Sequence, residues 1–325
     1  MVSLAMRRRV LVRVCFLGLS TAAPISTSFD CSNAHDDTDC DAWAKSGECA
    51  ANPDFMRAQC ARSCGSCGWR NTYCDKRNNG PAKANGEIVR TFERAIALPG
   101  LNAVVHSVDP YVVTFDNFIS DEEADAFLST TQGHFDRSLA GDMVSPVRTS
   151  KQAWCQMHPC VDHPLVNLVH ERVVNTTGVP KNNAEFFQVL QYEPGQFYKV
   201  HHDQNTHPDS LSGVRLFTFF IYLQAPESGG ETHFPKLQIT VQPKKGRALW
   251  WPNVRNDDVR ASDMRTDHEA LPPTKGLKYS ANLWLHQHDF RGPNTHGCNL
   301  GKAMANLEIK DPEELEDDTG TKLEL

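Results

Sequence analysis

The sequence predicts an α+β protein: an antiparallel β-sandwich or jelly roll with helices packed on one sheet, behind a small disulfide-rich module. Short apolar or alternating segments follow one another between turns after residue 184, helical patterns precede them, and six of the 11 cysteines crowd into residues 31–67. With 325 residues, 40% of them hydrophobic, the chain can bury one sizeable core and still carry an accessory module.

Residues 1–23 join Arg7, Arg8, Arg9 and Arg13 to an apolar run, Val14 to Leu19, and then to the small residues Ser20, Thr21, Ala22 and Ala23. That order reads as a secretory signal peptide, because the run is far shorter than the roughly 20 residues a membrane span needs. Luminal membrane association is expected only if the leader is retained. Its removal takes the formal net charge from −7 to −11 and discards Cys15, leaving ten cysteines, an even number suited to an oxidising lumen. So acidic a chain argues against nucleic-acid binding. The last residues, Lys322 to Leu325, resemble the Lys-Asp-Glu-Leu retrieval signal with Leu323 in place of aspartate, so the endoplasmic reticulum lumen or secretory pathway is the expected location.

Cys31, Cys40, Cys49, Cys60, Cys64 and Cys67 lie in a segment too small to fold on apolar burial alone, where each disulfide is worth ~2–4 kcal/mol. Cys64-Gly-Ser-Cys67 alone would also permit zinc, and six cysteines allow 15 connectivities. The run CDAWAKSGECAANPDFMRAQCARSCGSC, with Trp43, Gly47, Asn52, Pro53 and Met56, resembles the ShK toxin-like module. That resemblance implies pairs Cys31–Cys67, Cys40–Cys60 and Cys49–Cys64.

Residues 24–68 are thus expected to form the module, 69–108 a linker leading into a helix, 109–292 the main domain, and 293–325 a tail. PYVVTFDNFI reads as a strand, and Ser120-Asp-Glu-Glu123 as a capping box opening a helix through Phe127. Pro164 to Thr177 carries a helical stripe of Val166, Val169, His170, Val173 and Val174, in which His170 is expected to be packed. EFFQVLQY, QFYKVHHD, VRLFTFFIYLQ, GETHF, LQITVQ, RALWWP and GLKYSANLWLH read as strands.

In YKVHHDQN, His201 and Asp203 stand two apart, on one face of a strand, with His202 pointing away. His268 is the best third ligand, because a second strand can bring it beside His201. Two histidines and one carboxylate form a facial triad that suits non-haem Fe(II), although zinc accepts the same set. Lys278 follows on an alternating strand; facing inward it requires an anionic partner, facing outward it is merely solvated.

QVLQYEPGQFYKVHHD, FIYLQAPESGGETHFP, KKGRALWW and HEALPPTKGLKYSANLWL, in that order over roughly residues 109 to 291, resemble prolyl 4-hydroxylase catalytic domains. The resemblance implies a double-stranded β-helix, a jelly-roll variant, in which His201, Asp203 and His268 bind Fe(2+) and Lys278 pairs with the distal carboxylate of 2-oxoglutarate. Tyr192 matches a tyrosine that hydrogen-bonds the cosubstrate. Tyr198 and Trp284 match pocket positions, or equally core aromatics, and Arg215 matches an arginine near the peptide substrate, or a solvated charge. Gly229 and Gly230 serve a turn.

The implied reaction couples O2 and oxidative decarboxylation of 2-oxoglutarate to succinate and CO2 with hydroxylation of a prolyl C4, L-ascorbate acting as reductant. The expected partner is a proline-containing peptide or protein, already extended in polyproline II form. Hydroxylation of lysine or another side chain, and a secreted ShK-containing binding protein with an inactive oxygenase domain, are the alternatives. Cys155 and Cys160 are close enough in sequence for a local pair, which would leave Cys74 and Cys298 for a long-range one, the pairing of the four being open, and Asn175 heads the one glycosylation sequon. Oligomeric state is open.

Overall fold

The computed structural model describes residues 31–74, 80–139, 144–296 and 298. The leader and the Lys322–Leu325 motif lie outside them. Among the described residues an eight-stranded antiparallel sheet runs in the order Asn102–Val108, Tyr111–Asp116, Ala248–Pro252, Arg215–Gln224, Lys278–His286, Gln188–Tyr192, Lys151–Trp154, Asp136–Arg137. A four-stranded sheet runs Ile239–Val241, Thr232–Phe234, His268–Ala270, Tyr198–His201, and a short ribbon pairs Pro273–Lys275 with Ser228–Gly229. This is the jelly roll the strand pattern predicts.

Because successive side chains on a strand point to opposite faces, the large sheet builds two cores. One face carries Val113, Phe115, Phe217, Phe219, Ile221, Trp250, Ala281 and Leu283 and packs against the helices. The other carries Leu190, Tyr192, Phe220, Tyr222, Leu249 and Trp251, which meet Phe234 and Val241 of the small sheet. In the strand Lys278–His286 the second face is polar instead: Lys278, Ser280, Asn282 and His286 are all buried there, with Trp284.

The helices form where the sequence marks them. Ser120 caps Asp121–Thr131, its hydroxyl accepting from the Glu123 N–H while Glu123 accepts from the Ser120 N–H. Glu123 also takes two bonds from the Arg172 guanidinium, at 2.7 and 2.8 Å, tying this helix to Pro164–Thr177. The latter starts with proline at its first position and ends at Gly178, whose φ of 63° is the left-handed stop that favours glycine. His170 is buried in it with its ring against Phe187, and burial pushes its pKa down to about 3.

The linker expected over 69–108 is corrected by the structure. Helix Cys67–Tyr73 extends past the expected module boundary, helix Glu87–Ile96 buries Ile88, Phe92 and Ala95 at i, i+4, i+7 spacing, and Asn102–Val108 is the edge strand of the large sheet. Phe92 stacks on Trp250 at 3.7 Å and on Tyr111 at 5.0 Å. The main domain therefore begins before residue 109.

Disulfides join Cys40 to Cys60, Cys49 to Cys64, Cys74 to Cys298 and Cys155 to Cys160, and Cys31 and Cys67 are disulfide-bonded as well. Cys64 and Cys67 are thus not free to hold zinc. Among the described residues no helix is long and apolar enough to cross a membrane.

Replacing Phe92 by alanine removes a ring enclosed by three other aromatic side chains and is expected to cost about 3–5 kcal/mol. Urea unfolding measures it; a cost below about 1 kcal/mol would return residues 87–96 to a peripheral linker.

Candidate metal and cosubstrate site

The pairing of two small-sheet strands places His268 directly opposite His201. Asp203 lies two residues beyond His201, just past the strand's end, and its carboxylate reaches both rings. Oδ1 is 3.5 Å from His201 Nε2 and Oδ2 is 3.6 Å from His268 Nε2. The ligand atoms of all three lie within 4.8 Å of one another, the one such cluster among the described residues.

Each ring is fixed by its other nitrogen. His201 Nδ1 is 2.8 Å from the Lys199 carbonyl and His268 Nδ1 is 3.1 Å from that of Thr266. A carbonyl only accepts, so each Nδ1 donates and each Nε2 keeps its lone pair toward the cluster. His202 turns away, as alternation predicts, to the Asp263 carbonyl at 3.1 Å.

Charge at the site follows from burial and these neighbours. Burial alone would raise the Asp203 carboxyl, but the facing imidazoles and the Thr218 hydroxyl overcome it and hold it well below the usual range. Burial lowers His268 to about 4, so its imidazole is neutral at pH 7 and able to act as a ligand.

Lys278 is fully buried, which excludes its solvated reading. Among the described residues its Nζ has no hydrogen-bond partner; it faces the rings of Tyr192, Phe220 and Tyr222 at 5.1–5.5 Å. Desolvation pulls it down to about 7, opposed only by the more distant Glu231. Gly230, at φ 80°, belongs to the turn but also leaves room for this side chain, since a Cβ there would stand 3.2 Å from Lys278 Cδ. A buried cation without an anion is costly, so the cradle fits a ligand that brings a carboxylate. Phe220, which the ammonium faces, also lines a cavity with His201, His268, Leu190, Thr232 and Asn282.

Around the cavity's mouth, Tyr198 stacks on His201 at 3.5 Å with the Arg148 guanidinium 4.6 Å from the tyrosine ring. Arg215 lies 3.9 Å over Trp284, donates to Glu185 at 2.6 Å and to the Asp203 carbonyl at 3.2 Å. Glu185 also meets His286 at 2.7 Å, and although burial opposes it, Arg215 and His286 bring its pKa to about 2. The Arg215 charge is thus internally matched. Arg148, Glu185, Thr218, Asn282 and His286 escaped the sequence reading, since none sits in a spacing pattern with the triad; for Asn282 and His286 the signal was polar residues on alternate positions of the strand Lys278–His286.

Residues 187–286 match the family model of the 2OG-Fe(II) oxygenase superfamily. That stretch is a 2OG-Fe(II) oxygenase domain. Residues 30–67 match the ShK domain-like model, so the oxygenase carries a ShK-like domain ahead of its catalytic fold. Among curated proteins it is similar to prolyl 4-hydroxylase subunit alpha-3 of Bos taurus, 37% identical over 60% of this chain and 37% of that protein, and to subunit alpha-2 of Gallus gallus, 33% identical over 55% and 34%. The chain therefore spans little more than a third of these relatives' length. A solved structure, the viral collagen prolyl hydroxylase of Paramecium Bursaria Chlorella virus-1 in its 2OG complex, aligns with 54% of this chain and 94% of its own at 30% identity and a TM-score of 0.44.

The Lys278 geometry gives a stability prediction. Its folded pKa of about 7 lies below the unfolded value of 10.5, so the unfolded state binds more protons between these limits and stability of the cosubstrate-free protein rises with pH across them. Below pH 7 the penalty is fully present. Lys278→Met is therefore expected to stabilise the cosubstrate-free protein at pH 6, by about 5 kcal/mol at 1.36 kcal/mol per pKa unit, and to abolish its binding of 2-oxoglutarate. Denaturant unfolding and calorimetric titration read the two effects; a methionine variant less stable than the parent at pH 6 would contradict it.

Proposed function

We propose that the oxygenase hydroxylates prolyl residues of peptide or protein substrates to 4-hydroxyproline, converting 2-oxoglutarate and O2 to succinate and CO2. The observation that carries this reading is a two-histidine, one-carboxylate cluster together with a buried lysine without a hydrogen-bond partner, whose Nζ faces Phe220, a wall of the cavity that both histidines line. The prolyl 4-hydroxylase subunits among its relatives support the choice of proline.

When bound, Fe(2+) and 2-oxoglutarate supply the oxidising chemistry, with L-ascorbate as reductant. The chain's own residues hold, orient and screen. His201 and His268 offer Nε2 and Asp203 its carboxylate, a ligand set that leaves positions open for a bidentate cosubstrate and oxygen. Lys278 would pair with the distal carboxylate, and Tyr192, whose ring stands 5.1 Å from Nζ, would hydrogen-bond the same ligand. Leu190, Phe220 and Trp251 exclude water from the cavity. Tyr198 and Trp284, each stacked beneath an arginine, grip the substrate's proline, and Arg215 holds the Trp284 face in place.

The same reading places the protein in the endoplasmic reticulum lumen or secretory pathway, retained by Lys322–Leu325. In support, all ten cysteines after the leader are disulfide-bonded, which requires an oxidising compartment. Asn175, exposed near the end of its helix, would carry the glycan.

Purified protein supplied with Fe(II), 2-oxoglutarate, ascorbate and proline-rich peptides is expected to form succinate and add one oxygen to proline, read by mass spectrometry. His201→Ala should fall to background. Peptide oxidation confined to lysine or another side chain would overturn the proline assignment, and succinate formation undiminished in His201→Ala would overturn the site.

A further inference from the structure

We propose that Thr218 and Asn253 form a buried hydrogen-bond relay that fixes the Asp203 carboxylate for metal binding, reserving Oδ1 for the metal; both are positioning residues. This rests on the reading of His201, Asp203 and His268 as ligands and extends it one layer outward. Thr218 lies in the strand Arg215–Gln224, wholly buried, with Trp251 and Trp284 as its neighbours in register. Its Oγ1 is 2.7 Å from Asp203 Oδ2. An ionised carboxylate only accepts, so the one hydroxyl proton is committed to Oδ2.

The direction of the next bond follows. With its proton committed, Thr218 Oγ1 can only accept from Asn253, whose Nδ2 lies 3.0 Å away. Asn253 is itself wholly buried and held at both ends of its backbone: its N–H donates to the Leu216 carbonyl at 2.8 Å, and its carbonyl accepts from Asp263 at 3.0 Å. A β-branched residue in mid-strand has little χ1 freedom, so the hydroxyl is aimed before any ligand arrives. Oδ1 is 3.5 Å from His201 Nε2 and Oδ2 3.6 Å from His268 Nε2, so distance does not separate them; the hydroxyl on Oδ2 stops the carboxylate from turning and leaves Oδ1 the freer oxygen for a metal. A carboxylate free to turn could chelate with both oxygens and close a position that the cosubstrate needs.

Partners that orient metal ligands contribute roughly 10–100-fold to metal affinity. Thr218→Val keeps the shape and deletes the hydroxyl; Thr218→Ser keeps the hydroxyl. Titration of the full chain with Mn(II) alone, followed by the electron paramagnetic resonance signal of the free ion, is expected to show binding weakened roughly 10–100-fold in Thr218→Val and restored to within about threefold of the parent in Thr218→Ser. Circular dichroism checks that each variant is folded. Should valine prevent folding, Thr218→Ala deletes the same hydroxyl and reads the same quantity. Valine binding within twofold of the parent, or serine binding as weakly as valine, would overturn the relay while leaving the metal site standing. Failure of the parent protein to bind Mn(II) would overturn the metal site and the relay with it.

Discussion

The structure depends on the strand Lys278–His286 lying at the centre of the large sheet, paired with Arg215–Gln224 on one side and Gln188–Tyr192 on the other. Alternation gives that strand two unlike faces. Ala281, Leu283 and Leu285 enter the helix-side core, whereas Lys278, Ser280, Asn282, Trp284 and His286 are delivered to the space between the sheets. A slip of one residue in register would exchange the two sets. It would put a lysine, an asparagine and a histidine among the helices and three apolar side chains into the site. The apolar face thus specifies the polar one, and hydrophobic burial sets the position of the functional groups.

Placing those groups between two sheets exposes them to strong desolvation, and the protein treats each charge differently. Glu185 is neutralised internally, by Arg215 and His286. Asp203 faces two imidazoles and a hydroxyl, which keep it ionised. Lys278 has only aromatic ring faces near its ammonium. The first arrangement is complete and structural. The other two are unfinished in opposite senses, a residual anion at Asp203 and a cation without a hydrogen-bond partner at Lys278. A metal cation chelated by a dicarboxylate would complete both.

How far the sequence revealed this depended on whether a signal was local. Pro164–Thr177 and the Ser120 cap were legible because apolar spacing, proline, glycine and a capping box lie within a few residues of one another. His201 and Asp203 were legible from their two-residue spacing, and His268 only as the best candidate for a second strand beside His201, because the pairing itself is long-range. The strand Asn102–Val108 was missed for a physical reason. It is a sheet edge with a bulge between Val105 and Ser107, it leaves Val104, Val105 and Val108 exposed, and little burial means little periodicity to read. Thr218 sat unnoticed inside VRLFTFFIYLQ, where one hydroxyl among aromatic residues looks like an ordinary strand threonine until Asp203 is seen 2.7 Å away.

Arg215 shows why a residue's neighbours decide its role more than its motif does. On sequence alone it was balanced between a solvated charge and a group waiting for substrate. In the fold its guanidinium is divided among three duties: an ion pair with Glu185, a bond to the Asp203 carbonyl and a stack over Trp284. One planar, always-charged group can do this because its donors point in fixed directions while its face remains free for an aromatic ring. The carbonyl it holds belongs to the residue whose carboxylate Thr218 holds, so backbone and side chain of Asp203 are fixed from the same strand, Arg215–Gln224. That strand is also the neighbour of Lys278–His286. The Asp203 carboxylate and the lysine are therefore aligned by a single sheet register, and Arg215 extends the same register to Trp284.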